Sequence, residues 1–244
     1  MPEILRGTRR RGSGPPIIFL HNGFYASRTW DTVLPFFEDR FTCVTWDRDG
    51  YGLRAHVDEI PPRASVEDGV AELEILVAHL DDIPVHLVGH CMGGAIALQF
   101  AARHPDRVGR LVLEATGFYT DENVLMKIDL MRMPWEALSP GFRARMEQMH
   151  GTAGAPVTWA HIVGHRESYI MDDAYDIRAM LPSVAVPCLL LAGGRDFYFS
   201  PEHARAGAEG IPGAEFCFLE KAVHDIHEEH PRDFIQRVLP FLDA

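Results

Sequence analysis

The stretch PVHLVGHCMGGAIALQFAAR, Pro84–Arg103, decides how the rest of the chain is read. It opens on a short apolar run, Pro84–Val88, with the length of a buried strand. It closes on Met92–Arg103, rich in Ala and Gly, which reads as a helix. Between them stands Gly89-His90-Cys91-Met92-Gly93-Gly94. A strand-to-helix turn this tight strains the backbone of its central residue, and side chains at the flanking positions would collide. The glycines meet that demand, and Cys91 takes the central place. The helix behind it presents the positive end of its dipole, which favours a thiolate.

Working outward, the same rhythm repeats. Ile17–Leu20, Phe41–Trp46, Val108–Leu113, Pro187–Ala192 and Glu215–Leu219 read as strands. Ser27–Glu38 reads as a helix, with Ser27 as N-cap and Trp30, Val33, Leu34 and Phe37 at helical spacing. Ser65–Leu80 opens with Ser-x-x-Asp, a relative of the capping box, and sets Val66, Val70, Leu73 and Val77 on one face. Pro201–Ala208 and Pro231–Leu242 are further helices. Continuous apolar strands alternating with helices predict an α/β fold, a mostly parallel sheet covered on both faces. Ligands bind such sheets at the carboxyl ends of the strands, so the residues just after each strand carry the functional information.

One segment breaks the rhythm. Residues 118–182 contain no clear strand and hold seven of the nine methionines, together with Trp135, Phe142, Trp159, Tyr169 and Tyr175. The reading is a helical lid over the site, inserted in a core formed by residues 1–117 and 183–244. Met adapts to irregular apolar surfaces, so the composition points to a flexible hydrophobic pocket; the plainer reading is a small helical core.

Composition excludes several classes. Hydrophobic residues are 47% and charged residues 24%, enough for a sizeable core and unlike a disordered chain. Asp and Glu number 35 against 23 Lys and Arg, a net charge of −12, which is not the footprint of a nucleic-acid binder. The basic cluster of Arg6 and Arg9 to Arg11 is expected to be solvated at a frayed N-terminus. No apolar run approaches the ~18–20 residues of a membrane span, so no membrane partner is expected. The opening MPEILRGTRRRGSG lacks the apolar centre of a secretion signal. Cys43, Cys188 and Cys217 lie in apolar strand-like runs, and all four cysteines are expected as reduced thiols in a cytoplasmic protein. Neither a G-x-G-x-x-G signature nor a Walker loop is present, and no cofactor is expected. His224, His227 and His230 recur at three-residue spacing, a weak metal pattern read here as a solvated helix start with no metal.

On these motifs the chain resembles the α/β-hydrolase fold family over nearly its whole length. The Gly89–Gly94 turn is similar to the family's nucleophile elbow, with Cys where Ser is usual. His21-Asn22-Gly23-Phe24 resembles its oxyanion loop, with Asn22 where Gly is commoner. Asp47-Arg48-Asp49-Gly50-Tyr51-Gly52 resembles its Asp-Arg-x-Gly-x-Gly loop, and His104–Val108 its link out of the nucleophile helix. Asp196, in Gly193-Gly194-Arg195-Asp196, falls at the family's acid position and His224 at its base position, while Glu229–Phe234 resembles the start of its last helix. The match is weaker before Ile17, where the first strands are expected to be short or missing. The resemblance implies a lid after the family's sixth strand, here Val108–Leu113.

The chemistry that this arrangement implies can be stated residue by residue. His224 would take the Cys91 proton, and Asp196 would orient the imidazole. The backbone N–H groups of Met92 and of Gly23, preferred over Phe24, would form the oxyanion hole. Glu114, at the end of the preceding strand, is a poorer alternative acid. Phe24, Trp135 and Trp159 are candidates to line an acyl pocket; His90 is a fourth, although packing beside the strand end suits it better. A cysteine intermediate is a thioester, which keeps more acyl reactivity than an oxygen ester. The expected substrate is therefore a small activated acyl compound, free or carrier-bound: a thioester, lactone or ester, with hydrolysis or acyl transfer as outcome. Dienelactone hydrolases and polyhydroxyalkanoate synthases carry a similar Gly-x-Cys-x-Gly-Gly box. The former lack the Asp-Arg-x-Gly-x-Gly loop and the long insertion, and the latter are much longer. The alternatives are a dienelactone-hydrolase-like lactonase and a ligand-binding pseudo-hydrolase in which Cys91 does not turn over.

Overall fold

In the computed structural model, which describes residues 6–57, 66–80, 84–164 and 175–244, the Pro84–Arg103 stretch sits at the middle of a seven-stranded sheet. The strands are β1 (Thr8–Gly12), β2 (Pro16–Leu20), β3 (Thr42–Trp46), β4 (Val85–His90), β5 (Val108–Glu114), β6 (Cys188–Gly193) and β7 (Glu215–Leu219). Their order is β1-β3-β2-β4-β5-β6-β7. Every pairing is parallel except β1 with β3, where Thr8 faces Trp46 and Gly12 faces Thr42. The central strands are buried on both faces, which is why they read as unbroken apolar runs. Alternate residues feed two separate cores. Ile18, Leu20, Val44, Trp46 and Leu87 face one, while Ile17, Phe19, Cys43 and Val88 face the other.

The first core is covered by α1 (Val66–Ala78) and α2 (Met92–Arg103). The second is covered by residues 30–37 and by the last helix, which supplies Phe234, Val238 and Phe241. Between β5 and β6 the chain forms α3 (Glu122–Met131), α4 (Pro140–His150) and α5 (Gly154–Gly164). Asp121 caps α3 by accepting the Val124 N–H, and Ser139 caps α4 by accepting that of Phe142. The two ends of this segment are tied together, since Thr120 N–H donates to the Tyr175 carbonyl and Ile177 N–H to that of Phe118. Among the described residues the further α-helices are α6 (Pro201–Gly210), α7 (Ile226–Glu229) and α8 (Pro231–Asp243). Among the described residues no helix is long and apolar enough to cross a membrane.

Two local expectations are corrected. Residues 27–38 form two short 3-10 helices, Ser27–Thr32 and Leu34–Phe36, instead of one α-helix. Pro35 has no N–H to give the Asp31 carbonyl, and its ring would collide with that carbonyl. Arg9 to Arg11 are not a frayed end; they belong to β1, and the Arg9 guanidinium binds the Asp31 carboxylate at 2.8 Å. The methionines of the insertion divide: Met146 and Met149 are core, Met126 and Met133 are exposed, and Met171 lies outside the described residues, as does Tyr169.

Candidate active site

Cys91 leaves β4 with φ 53° and ψ −114°, a left-handed conformation that costs a side-chain-bearing residue energy. Its neighbours explain how this is held. The Cys91 N–H donates to the Glu114 carbonyl at 2.9 Å. A Cβ on Gly89 would come within 2.5 Å of the Gly93 carbonyl, and one on Gly93 within 2.3 Å of the Leu20 carbonyl. The turn therefore closes only without side chains at those two places.

The loop after β2 is fixed at each of its four carbonyls. The buried Arg48 guanidinium donates to the carbonyls of His21, at 2.6 Å, and Asn22. The Tyr51 hydroxyl donates to that of Gly23 at 3.0 Å, and His150 Nε2 to that of Phe24 at 2.8 Å. The Asn22 side chain accepts the N–H groups of Phe24 and Tyr25 at 3.0 and 2.8 Å. The Phe24 N–H is thus already engaged within the loop. Arg48 N–H donates to His21 Nε2, so His21 carries its proton on Nδ1 and gives it to the Asn22 carbonyl. Burial and the adjacent Arg48 hold that ring well below the usual histidine range, hence neutral.

Asp196 lies just past β6. One carboxylate oxygen accepts the N–H groups of Tyr198 and Phe199, at 2.7 and 3.1 Å. The other accepts His224 Nδ1–H at 2.9 Å, and both side chains are nearly enclosed. Burial works against a charged His224, but Asp196 and then Cys91 outweigh it and hold the imidazole well above its ordinary value. Among the described residues its buried Nε2 closes no hydrogen bond of ordinary geometry; the Cys91 thiol is the group beside it that acts on its charge. The Tyr198 ring stands edge-on to His224 with centroids 4.6 Å apart. Burial, and next Cys91, push the Tyr198 and Tyr175 hydroxyls above the usual range, so both stay protonated.

Other expected residues fall elsewhere. His90 is wholly enclosed between the His224 and His227 rings and donates to the His224 carbonyl at 3.2 Å. It cannot line a pocket. His227 is not part of a solvated helix start; it is fully buried against Glu114. His230 is partly exposed beside Asp233, so the three histidines diverge and do not converge on one ion. Glu114 binds His227 and not His224, which leaves Asp196 as the acid at His224.

Phe24 and Trp159 line a narrow cleft of about 20 Å³ with Ile128, Met131, Ile162, Val163 and Arg132. Arg132 is a cation at an otherwise apolar site. Trp159 is buried, and its indole N–H donates to the Met133 carbonyl at 2.8 Å. Trp135 is half-buried and packs at the edge of this aromatic cluster. Phe24 stacks on Tyr198, centroids 6.0 Å apart, so an aromatic wall joins the cleft to the His224 side of the site. Arg48, Tyr51, His150 and Tyr198 were not singled out by sequence. Tyr51 and Arg48 sit in a motif that marked their loop, but His150 and Tyr198 offered no local signal.

The family model for the alpha/beta hydrolase family matches residues 17–237. The pimeloyl-[acyl-carrier protein] methyl ester esterase of Chromobacterium violaceum is 28% identical over 254 residues, covering 96% of this chain and 96% of its own. The enol-lactonase from Burkholderia xenovorans shares the fold with a TM-score of 0.76 at 21% identity, covering 97% of this chain and 96% of that one. A thermophilic esterase from Thermogutta terrifontis gives 0.75 at 25% identity, over 97% and 92% of the two chains. A model spanning the strained turn after β4, the loop after β2 and the Asp196–His224 pair leaves one conclusion: the chain belongs to the alpha/beta hydrolase family.

Proposed function

We propose that the protein is a hydrolase of esters or similar activated acyl compounds that works through an acyl-cysteine on Cys91. The observation that carries this reading is the Asp196–His224 hydrogen bond, which turns the second imidazole nitrogen toward a cysteine held at a strained elbow. His224 Nε2 holds the proton taken from the Cys91 thiol, as its raised value favours, and the sulfur attacks the acyl carbon. The carbonyl electrons move onto oxygen, where the N–H groups of Met92 and Gly23 stabilise them. Collapse expels the alcohol or thiol, which leaves with the proton held by His224. Water, or another acceptor, then attacks the thioester by the same route and frees Cys91.

Two further points support the reading. The Chromobacterium relative is by name an ester esterase, and a nucleophile, base and acid in this order can carry out ester cleavage. The cleft beside Phe24 is mostly apolar, which favours an apolar or aromatic acyl group over a charged one. Because Cys yields a thioester, good leaving groups are favoured, and acyl transfer to an acceptor other than water belongs to the same proposal.

Intact-protein mass after exposure to a chromogenic acyl ester tests it. Wild type should gain and then lose one acyl group. Cys91→Ala should never gain it. Cys91→Ser should lose most activity, since His224 must then deprotonate a far weaker acid. No adduct on folded wild-type protein would mean a ligand-binding member of the fold. A Ser variant as active as wild type would make the thiol incidental.

A further inference from the structure

Beneath the elbow lies a buried ion pair that the proposed chemistry does not use. Glu114 is the last residue of β5, and both it and His227 are fully enclosed. One Glu114 oxygen accepts the His227 backbone N–H at 2.9 Å and the ring Nδ1–H at 2.9 Å; the other lies 3.0 Å from Nδ1. On the far side of the ring, Nε2 is 3.0 Å from the Thr29 hydroxyl. That hydroxyl has one proton and gives it to Glu228 at 2.7 Å, so Nε2 must be a donor as well. With both nitrogens donating, His227 is an imidazolium, and the Trp30 ring stacks on it at 4.1 Å. Burial opposes that charge, but Glu114 outweighs it and holds His227 above its ordinary value.

A buried ion pair is a poor device for stability alone, because apolar side chains of the same volume do as well. What distinguishes Glu114 is what its two ends touch. Its side chain grips the backbone three residues after His224, and its own carbonyl accepts the Cys91 N–H at 2.9 Å. His90, lodged between the His224 and His227 rings, adds a hydrogen bond to the His224 carbonyl.

We propose that Glu114 is a positioning residue that fixes the His224–His227 loop through its carboxylate and Cys91 through its carbonyl, and so sets the base against the nucleophile. The inference rests on the roles given to Cys91 and His224 above. Loosening the loop moves the His224 imidazole but leaves the cleft by Phe24 intact. The loss should therefore fall on kcat and not on KM, and a misplacement of about 1 Å can cost ~10²-fold.

The test compares Glu114→Ala, which removes the grip, with Glu114→Gln, which keeps an oxygen for the His227 N–H but loses the charge. The readouts are the pre-steady-state acylation burst with a chromogenic short-chain ester, KM, and the downfield His224 Nδ1–H resonance. The expected burst rates are ~10²-fold lower for Ala and ~10-fold lower for Gln, with KM changed less than about threefold and the resonance displaced in both. A folded variant with the wild-type burst rate and an unmoved resonance overturns the proposal. If Glu114→Ala does not fold, Glu114→Gln decides alone on the same two readouts. A wild-type protein without an acyl burst overturns the functional reading and this inference with it; a normal wild-type burst with unaffected variants overturns only the inference.

Discussion

Cys91 differs from the equally buried Cys43 and Cys188 by its surroundings. Cys43 and Cys188 are buried in strands, and burial pushes both up to about 12. Cys217, only partly covered, is raised for the same reason. Cys91 is 6% exposed, yet it stands at the start of α2 and beside an imidazole raised by Asp196. A thiolate is the reactive species, so a small alkylating agent should find Cys91 first. Iodoacetamide labelling of folded protein, followed by peptide mapping, checks this. Labelling at Cys217 ahead of Cys91 would show that access, not chemistry, controls these thiols. His224→Ala should slow the Cys91 reaction and leave the Cys217 reaction unchanged.

At the scale of an element, the turn between β4 and α2 depends on how close α2 approaches β2. A methyl on Gly93 would meet the Leu20 carbonyl at 2.3 Å and the His21 carbonyl at 2.6 Å, and both belong to backbone that cannot turn aside. Gly93→Ala must push α2 away from the sheet, at a cost of about 1–3 kcal/mol. The same shift moves the Met92 N–H relative to Gly23, so activity should fall more than stability. Urea unfolding and initial rates measured together check it; full activity in a destabilised variant would contradict the placing of the oxyanion hole. Gly94→Ala meets mainly the Thr116 hydroxyl, a side-chain group that can rotate, and should be milder. These elements were legible because they follow local rules. The strands are apolar on both faces, and Cys91, Asp196 and His224 each follow a strand end. The 27–38 helix was misread because periodicity outvoted one proline. The grip of Glu114 on His227 spans 113 residues, and that of His150 on the Phe24 carbonyl spans 126, so no local pattern could announce either. The expectation of a solvated His227 failed for the same reason, its partners being distant in sequence.

Across the whole molecule, the helical segment between β5 and β6 is fastened to the loops that form the site. His150, the last residue of α4, accepts the Gly52 N–H at 3.0 Å and donates to the Phe24 carbonyl. The Thr158 hydroxyl of α5 donates to the Gly50 carbonyl at 2.9 Å, and Arg145 of α4 pairs with Glu228. Burial pushes His150 down to about 4, so the ring is neutral in the folded protein. Its depressed value means that the unfolded chain takes up a proton first. The contribution of this site to stability is complete above pH ~6.5 and is lost as pH falls through about 4. His150→Gln can keep a donor and an acceptor without titrating, and should flatten the fall of Tm between those two pH values. An unchanged slope would assign the acid sensitivity to other buried histidines. The same fastening makes the cleft by Phe24 a fixed shape that can select acyl groups. Trp159 forms its wall, whereas Trp135 only packs at the edge. Trp159→Ala would empty a buried site at about 3–5 kcal/mol, so Trp159→Phe is the informative change. An apolar wall discriminates at ~1–3 kcal/mol per methylene, and the space released by the smaller ring should shift the preference of kcat/KM toward longer chains. Trp135→Ala should leave the ranking of chain lengths as in wild type. A series of activated acyl esters run on the three proteins decides it. If all three rank the series alike, the acyl group does not bind against Trp159, and the cleft beside Phe24 is a feature of packing and not of specificity.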